Sequence, residues 1–219
     1  MTTFPELLEQ RLRRDPSTPF VTFYDDATGE RTELSVKTYA NWVSKTANLF
    51  VDELMLDPGD GLRIDLPPHW LGTVFLGGLW SAGLVIDDHA AVAIVGPDVL
   101  TANLDELAAT TMACSLRPFA VRFAEPLPAG ILDHGVLWAG QSDVFSPYQP
   151  CELGTPAPDD RRVITDLNPL SHDGSQLMLG LLAGSGSVVL VVGADHSQWT
   201  AHSTSERSTA TVRANQPIS

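Results

Sequence analysis

The sequence predicts an α/β domain of three layers: a mainly parallel sheet flanked by helices, with an N-terminal β-hairpin. Three observations predict it. Short apolar runs rich in β-branched residues alternate with longer stretches in which apolar residues recur every three to four positions. Some runs, such as Ser187 to Val192, are apolar at almost every position, the pattern of strands covered on both faces. Hydrophobic residues make up 43% and charged residues 18%, enough apolar side chain to build a core.

The elements follow in order. Phe4, Leu7, Leu8 and Leu12 have helical spacing, and Pro16 and Pro19 close that helix. Phe20 to Tyr24 and Arg31 to Leu34 read as the arms of a hairpin around Asp25, Asp26 and Gly29. Ser35 caps a helix whose buried stripe is Tyr39, Val43, Ala47, Phe50 and Leu54. After the Pro58-Gly59-Asp60 turn, Leu62 to Leu66 is a strand. A second apolar helix runs to about Ala82 and ends at Gly83, where a left-handed residue is wanted. Its glycines at 72, 77 and 78 point to a close backbone neighbour. Leu84 to Ile86 and Ala91 to Val95 are strands, Leu100 to Ala109 a helix, and Thr110 to Ser115 a buried strand. Residues 118–160 are proline-rich and irregular, apart from a short helix at Ile131 to Ala139. A strand at Val163 to Leu167, a helix at Gly174 to Ala183, the Ser187 to Val192 strand and a helix near Ser197 to Ser208 complete the fold. The expectation is one domain over residues 1–200, with 201–219 as a helix end and flexible tail.

Charge excludes some functions. Lys plus Arg number 13 against 27 Asp plus Glu, a net charge of −14, which repels phosphate backbones and anionic headgroups. Neither nucleic acid nor a membrane surface is an expected partner. The most apolar window, Trp70 to Ile86, is too short to span a bilayer. Cys114 and Cys151 are too few for a disulfide framework, and the N-terminus carries no secretory pattern. They read as reduced thiols in a cytoplasm.

Two stretches carry a resemblance. The first comprises "FPELLEQRLRRDP", "FVTFYDDATGERTELS", "TYANWVSKTANLFVDEL" and "LDPGDGLRIDLPPHWLGTVFLGGLWSAGLVI"; the second is "DDRRVITDLNPLSHDGSQLMLGLLAGSGSVVLV". In this order they resemble the N-terminal domain of the adenylate-forming superfamily of acyl-CoA synthetases and luciferases, the AMP-binding enzymes. The match covers a little over half of the chain, and the resemblance implies an abbreviated, degenerate relative. It also implies that His172 matches the histidine lining the family's acyl and adenylate pocket, with Asp173 and Gly174 beside it.

The departures weigh against ligase chemistry. The family's Ser/Thr/Gly-rich phosphate loop, ending near a lysine, is replaced here by "SPYQPCELGTPAP", and the chain's two lysines, Lys37 and Lys45, lie far upstream. A triphosphate needs a nest of backbone N–H groups and a cation. The family's aromatic-x-Thr-Glu motif and ribose-binding aspartate are also missing from the sequence. No ATP or other cofactor is therefore expected.

Four adjacent Asp/His pairs remain: Asp88–His89, Asp133–His134, His172–Asp173 and Asp195–His196. Three follow predicted strands, so Asp87, Asp88, His89, Asp195 and His196 join His172 as crevice candidates, since open parallel sheets bind ligands beyond the carboxyl ends of their strands. The competing reading is that these aspartates cap backbone, with Asp173 as the N-cap of its helix. No metal is expected. The leading functional expectation is a non-ligating domain that binds a small acyl or aromatic ligand or a partner chain. Its alternatives are a metal-assisted or acid/base hydrolase built on the Asp/His loops and a self-associating structural protein, a homo-oligomer.

Overall fold

The computed structural model describes residues 2–102 and 107–214. The chain forms two compact units. The first takes residues up to Ala40, Pro68–Thr73 and everything from Glu152; the second takes Asn41–Pro67 and Val74–Cys151.

The first unit opens with β1 (Thr2–Thr3) and α1 (Phe4–Arg14). Thr3 and Glu6 form a reciprocal capping box at the start of α1, and Pro5 sits in its first turn, where no N–H is missed. The hairpin is β2 (Pro19–Asp25) and β3 (Glu30–Ser35), antiparallel as expected, with the Asp25 carboxylate tying down Ala27 N and Thr28 Oγ1 in its turn. In the second unit lie β4 (Gly61–Asp65), β5 (Val85–Ile86), β6 (Val92–Val95), α4 (Pro97–Ala102), β7 (Thr110–Ala113), β8 (Ile131–Asp133) and α5 (His134–Leu137). The first unit resumes with β9 (Glu152–Leu153), β10 (Arg162–Thr165), α6 (His172–Ala183), β11 (Ser187–Val192), α7 (His196–Ser205) and β12 (Ala210–Val212). Two helices begin in the first unit and end in the second: α2 (Val36–Asn48) and α3 (Trp70–Ala82).

The predicted parallel α/β arrangement is present twice. The first unit's sheet has the order β12-β10-β11-β2-β3, parallel except at the hairpin; the second unit's sheet, β5-β4-β6-β7-β8, is parallel throughout. Alternation along the strands sorts the first sheet's faces. Thr165, Val188 and Leu190 face Leu177 and Met178 of α6, while Ile164, Val189 and Val191 pack against Trp199 of α7. Helices therefore cover both faces, giving three layers.

Several expectations differ from the structure for local reasons. The Tyr39–Leu54 helix is α-helical only to Asn48, and its last turn, Leu49–Glu53, is a π-turn closed by Leu54 N to Leu49 O. The first residues of the predicted 131–139 helix are strand β8, which the Asp133 cap separates from α5. The predicted 100–109 helix starts earlier, at Pro97, and residues 103–106 lie outside the described residues. The segment after Ser208 is not only a tail: Ala210–Val212 is a strand paired in parallel with β10.

Helix α3 is buried along nearly its whole length, and Gly83 beyond it has φ +78°, the left-handed cap the sequence requires. Gly78 meets a neighbouring helix closely: a Cβ there would stand 2.7 Å from Thr46 Cγ2 and 3.3 Å from Ala47 N. Within the first unit, Arg11 is only 1% exposed and holds the carboxyl end of α6. Its guanidinium donates to the carbonyls of Leu181, Gly184, Ser185 and Gly186 at 2.9–3.0 Å, and Asp15 pairs with its Nε at 2.8 Å. One side chain thus satisfies carbonyls that the helix end leaves open.

Candidate functional site in the first unit

Parallel pairing of β10, β11, β12 and β2 points their carboxyl ends to one edge of the first sheet. From that edge leave the loop 166–171 into α6 and the loop 193–195 into α7. Adjacent strands β10 and β11 send their helices to opposite faces, and β12 then lies on the far side of β10. This reversal is a topological switch point, where the two loops part and leave a crevice.

On the α6 side, the Pro169–Gly174 turn folds tightly. Ser171 Oγ accepts from Gly174 N, so Ser171 is the N-cap of α6 and Asp173 is not, because the chain enters the helix two residues earlier than the capping pattern reads. Gly174 is required there: a Cβ would stand 2.1 Å from the Asn168 carbonyl oxygen. His172 and Asp173 are both exposed in the first turn. Beneath Gly174 is a narrow apolar cavity of about 10 Å³, bounded by Thr73, Thr165, Leu167, Pro169, Leu177 and Met178. That is room for about one water.

On the α7 side the edge is more open and more polar. A cavity of about 210 Å³ lies between Asp166, Val191, Val192, Gly193, Ala194, Trp199 and Arg213. Arg213 Nε donates to Asp166 Oδ2 at 2.8 Å, Ala214 N donates to Asp166 Oδ1 at 2.8 Å, and the guanidinium carbon lies 3.9 Å from the Trp199 ring centroid. Farther along α7, His202 Nε2 meets the Asp26 carboxylate at 2.9 Å and its ring stacks on Tyr24.

The Asp/His pairs mostly serve the backbone. Asp195 caps α7 through Ser197 N and Gln198 N, with Gln198 returning a bond to Asp195 N. These bonds hold the Asp195 carboxyl below the usual range. Asp133 caps α5 through Gly135 N and also accepts from Phe123 N. Asp87 accepts from His89 N in a tight turn. Asp87, Asp88, His89 and His196 are exposed. The first three belong to the second unit, whereas His172 and His196 belong to the first. No group of three or more His, Cys, Asp or Glu among the described residues could hold a metal ion.

Two histidines are buried: His69, which the sequence reading does not single out, and His134 of the Asp133–His134 pair. Burial holds His69, in the first unit, down to about pKa 4, and His134, in the second, down to about 3; their Nε2 atoms have no hydrogen-bond partner among the described residues. His134 packs edge-on against Phe75 at 5.2 Å, so it behaves as part of the core. The residues that sequence reasoning missed are Asp166, Trp199 and Arg213. Asp166 lies inside the predicted 163–167 strand, whereas the observed strand ends at Thr165, and Arg213 has no structural address until β12 is recognised.

No protein-family model matches the chain. A Mycobacterium tuberculosis protein bearing a numbered family name that states no activity is 40% identical over 149 residues, covering 64% of this chain and 61% of the relative. Among solved structures, acetoacetyl-CoA synthetase from Streptomyces lividans superposes with a TM-score of 0.73 at 15% identity, covering 96% of this chain and 42% of the other. The anthranilate CoA ligase AuaEII, in complex with anthranoyl-AMP, superposes at 0.70 and 13% identity, covering 96% and 49%. The chain thus spans less than half the length of these two enzymes. The chain has the acyl-CoA synthetase fold, the one its sequence resemblance implies.

Proposed function

We propose that this chain is a binding domain on an acyl-CoA synthetase fold that does not perform ATP-dependent ligation by itself. The observation that carries the reading is the segment 146–158, which stands where the resemblance calls for a phosphate loop. Pro147, Pro150, Pro156 and Pro158 have no N–H to offer an anion. Cys151 N donates to Trp80 O at 2.9 Å, and Glu152 and Leu153 are paired with β1. A phosphate nest needs consecutive free N–H groups; the prolines leave no run of N–H groups longer than residues 151–155, where Cys151 is already bonded and Glu152 and Leu153 lie in a strand. Lys45 is no substitute cation, since its Nζ donates to Gln141 O at 2.5 Å and pairs with Asp143 at 3.4 Å.

The proposed ligand is a small acyl or aromatic molecule at the carboxyl edge of the first unit's sheet, with His172, Asp173 and Gly174 on its rim. AuaEII supports this class by holding an aromatic adenylate. The cavity under Gly174 admits such a ligand only when Met178, a flexible side chain, swings aside. Incubation with ATP, magnesium and a panel of carboxylic acids is the test. No acid-dependent pyrophosphate release is expected; release that disappears without ATP overturns the reading.

A second reading, association with another copy, is favoured by the apolar side chains that the second unit leaves in water, Met55, Phe119, Val144 and Tyr148. Light scattering across a range of protein concentrations separates the two. A mass that stays at one chain removes the second reading.

A further inference from the structure

We infer that the α7-side crevice of the first unit is a binding site for a small monocarboxylate, gripped by Arg213. It lies on the opposite face of the sheet from the Gly174 cavity and does not depend on the ligand proposed there.

Place, shape and charge lead to the same chemistry. The crevice opens at the switch point, between the loops after β10 and β11, and β12 supplies Arg213 one residue beyond its end. The guanidinium is fixed on two sides. Its plane rests on Trp199, which is 8% exposed, and its Nε is bonded to Asp166. The two Nη groups have no partner among the described residues. They form a preoriented fork of the kind that takes a carboxylate through two parallel bonds.

Asp166 decides which anion fits. The Arg213–Asp166 pair is already neutral, so the site offers hydrogen-bond donors with little net positive charge. That suits a singly charged carboxylate and disfavours a phosphate dianion, which needs further cations. Val191, Ala194 and the Trp199 ring give the cavity apolar walls, suited to the hydrocarbon body of an acid. Its volume of about 210 Å³ limits that body to one ring or a short chain.

The test is a titration of the intact chain with benzoate, and separately with inorganic phosphate, followed by the NMR signals of the indole N–H groups. Trp199→Phe assigns the reporting signal. Benzoate is expected to shift the Trp199 signal saturably, and phosphate to leave it in place. Arg213→Gln should weaken benzoate binding about tenfold or more, which is about 1.4 kcal/mol. Ala194→Leu, which fills the cavity without touching the ion pair, should abolish the shift and serves also if Arg213→Gln fails to fold. No saturable shift, a shift confined to other indoles, equal binding of phosphate, or benzoate affinity unchanged in the folded variants would each overturn the inference.

Discussion

Among the described residues, every ion pair except Lys45–Asp143 lies in the first unit, whereas every large apolar side chain left exposed lies in the second. Phe119 is 80% and Tyr148 84% exposed. The first unit orients its polar side chains with charged partners: Arg11 on the end of α6, and Glu206 between Arg31, Arg162 and Tyr24. The second unit relies on close apolar contact, as in the Trp42–Trp138 stack at 3.6 Å. The difference teaches where a site can be built. Fixed donors at a sheet edge are what recognition requires, and the first unit's edge has an arginine, Arg213, stacked on Trp199 and paired with Asp166.

The largest effect that sharpens this contrast is loss of the Arg11 clamp. Arg11→Ala strips the end of α6 of its donors and leaves Asp15 without its buried partner. The expected cost is about 3–5 kcal/mol in chemical denaturation. A loss below about 1 kcal/mol would show that the first unit does not depend on its buried polar contacts.

In the second unit the corresponding break is steric. Gly78→Leu drives a side chain into Thr46 and the Ala47 backbone and should cost about 1–3 kcal/mol, or more if α3 cannot shift. An unchanged melting midpoint would contradict the packing described for α3.

These two variants probe what the sequence showed well and what it did not. Helix α3 and strand β11 were legible because both are buried on nearly all sides, which writes long apolar runs. The hairpin was legible from its Asp and Gly turn. The division into two sheets was not, because a strand–helix–strand unit has the same local pattern whichever sheet it joins. Strand β12 left no trace either: three partly exposed residues, Ala210, Thr211 and Val212, carry no hydrophobic period. The site suffered accordingly. Asp87, Asp133 and Asp195 stood out as chemistry, but Asp133 and Asp195 cap helices and Asp87 bonds within a turn, while Arg213 stayed hidden with its strand.

Acid should separate the units more gently. Burial keeps His134 neutral with a pKa near 3, against an ordinary value of 6.5, and His69 near 4. The unfolded chain therefore takes up protons first, and stability present above pH 6.5 is lost as pH falls toward those values. Both units share that loss. Glu206 adds a second step in the first unit alone. Burial alone would raise its pKa, but bonds from Tyr24, Arg162 and Arg31 outweigh it and lower the pKa from 4.5 to about 2. Its contribution is full above pH 4.5 and drains as pH falls toward 2. His134→Phe should reduce the loss between about pH 6.5 and 3, and Glu206→Gln should reduce the loss between about pH 4.5 and 2. Hydrogen exchange across this range, read separately for each unit, checks both. A loss below pH 4.5 left unchanged by Glu206→Gln would assign it to other carboxylates.

The most direct test of the central claim is calorimetric titration of the intact chain with magnesium-ATP. With four prolines across residues 146–158, Cys151–Leu153 bonded to their own neighbours, and Lys45 committed to its own loop, no saturable heat is expected. A saturable one-to-one isotherm would contradict the account and show that the fold retains a triphosphate site built from other residues.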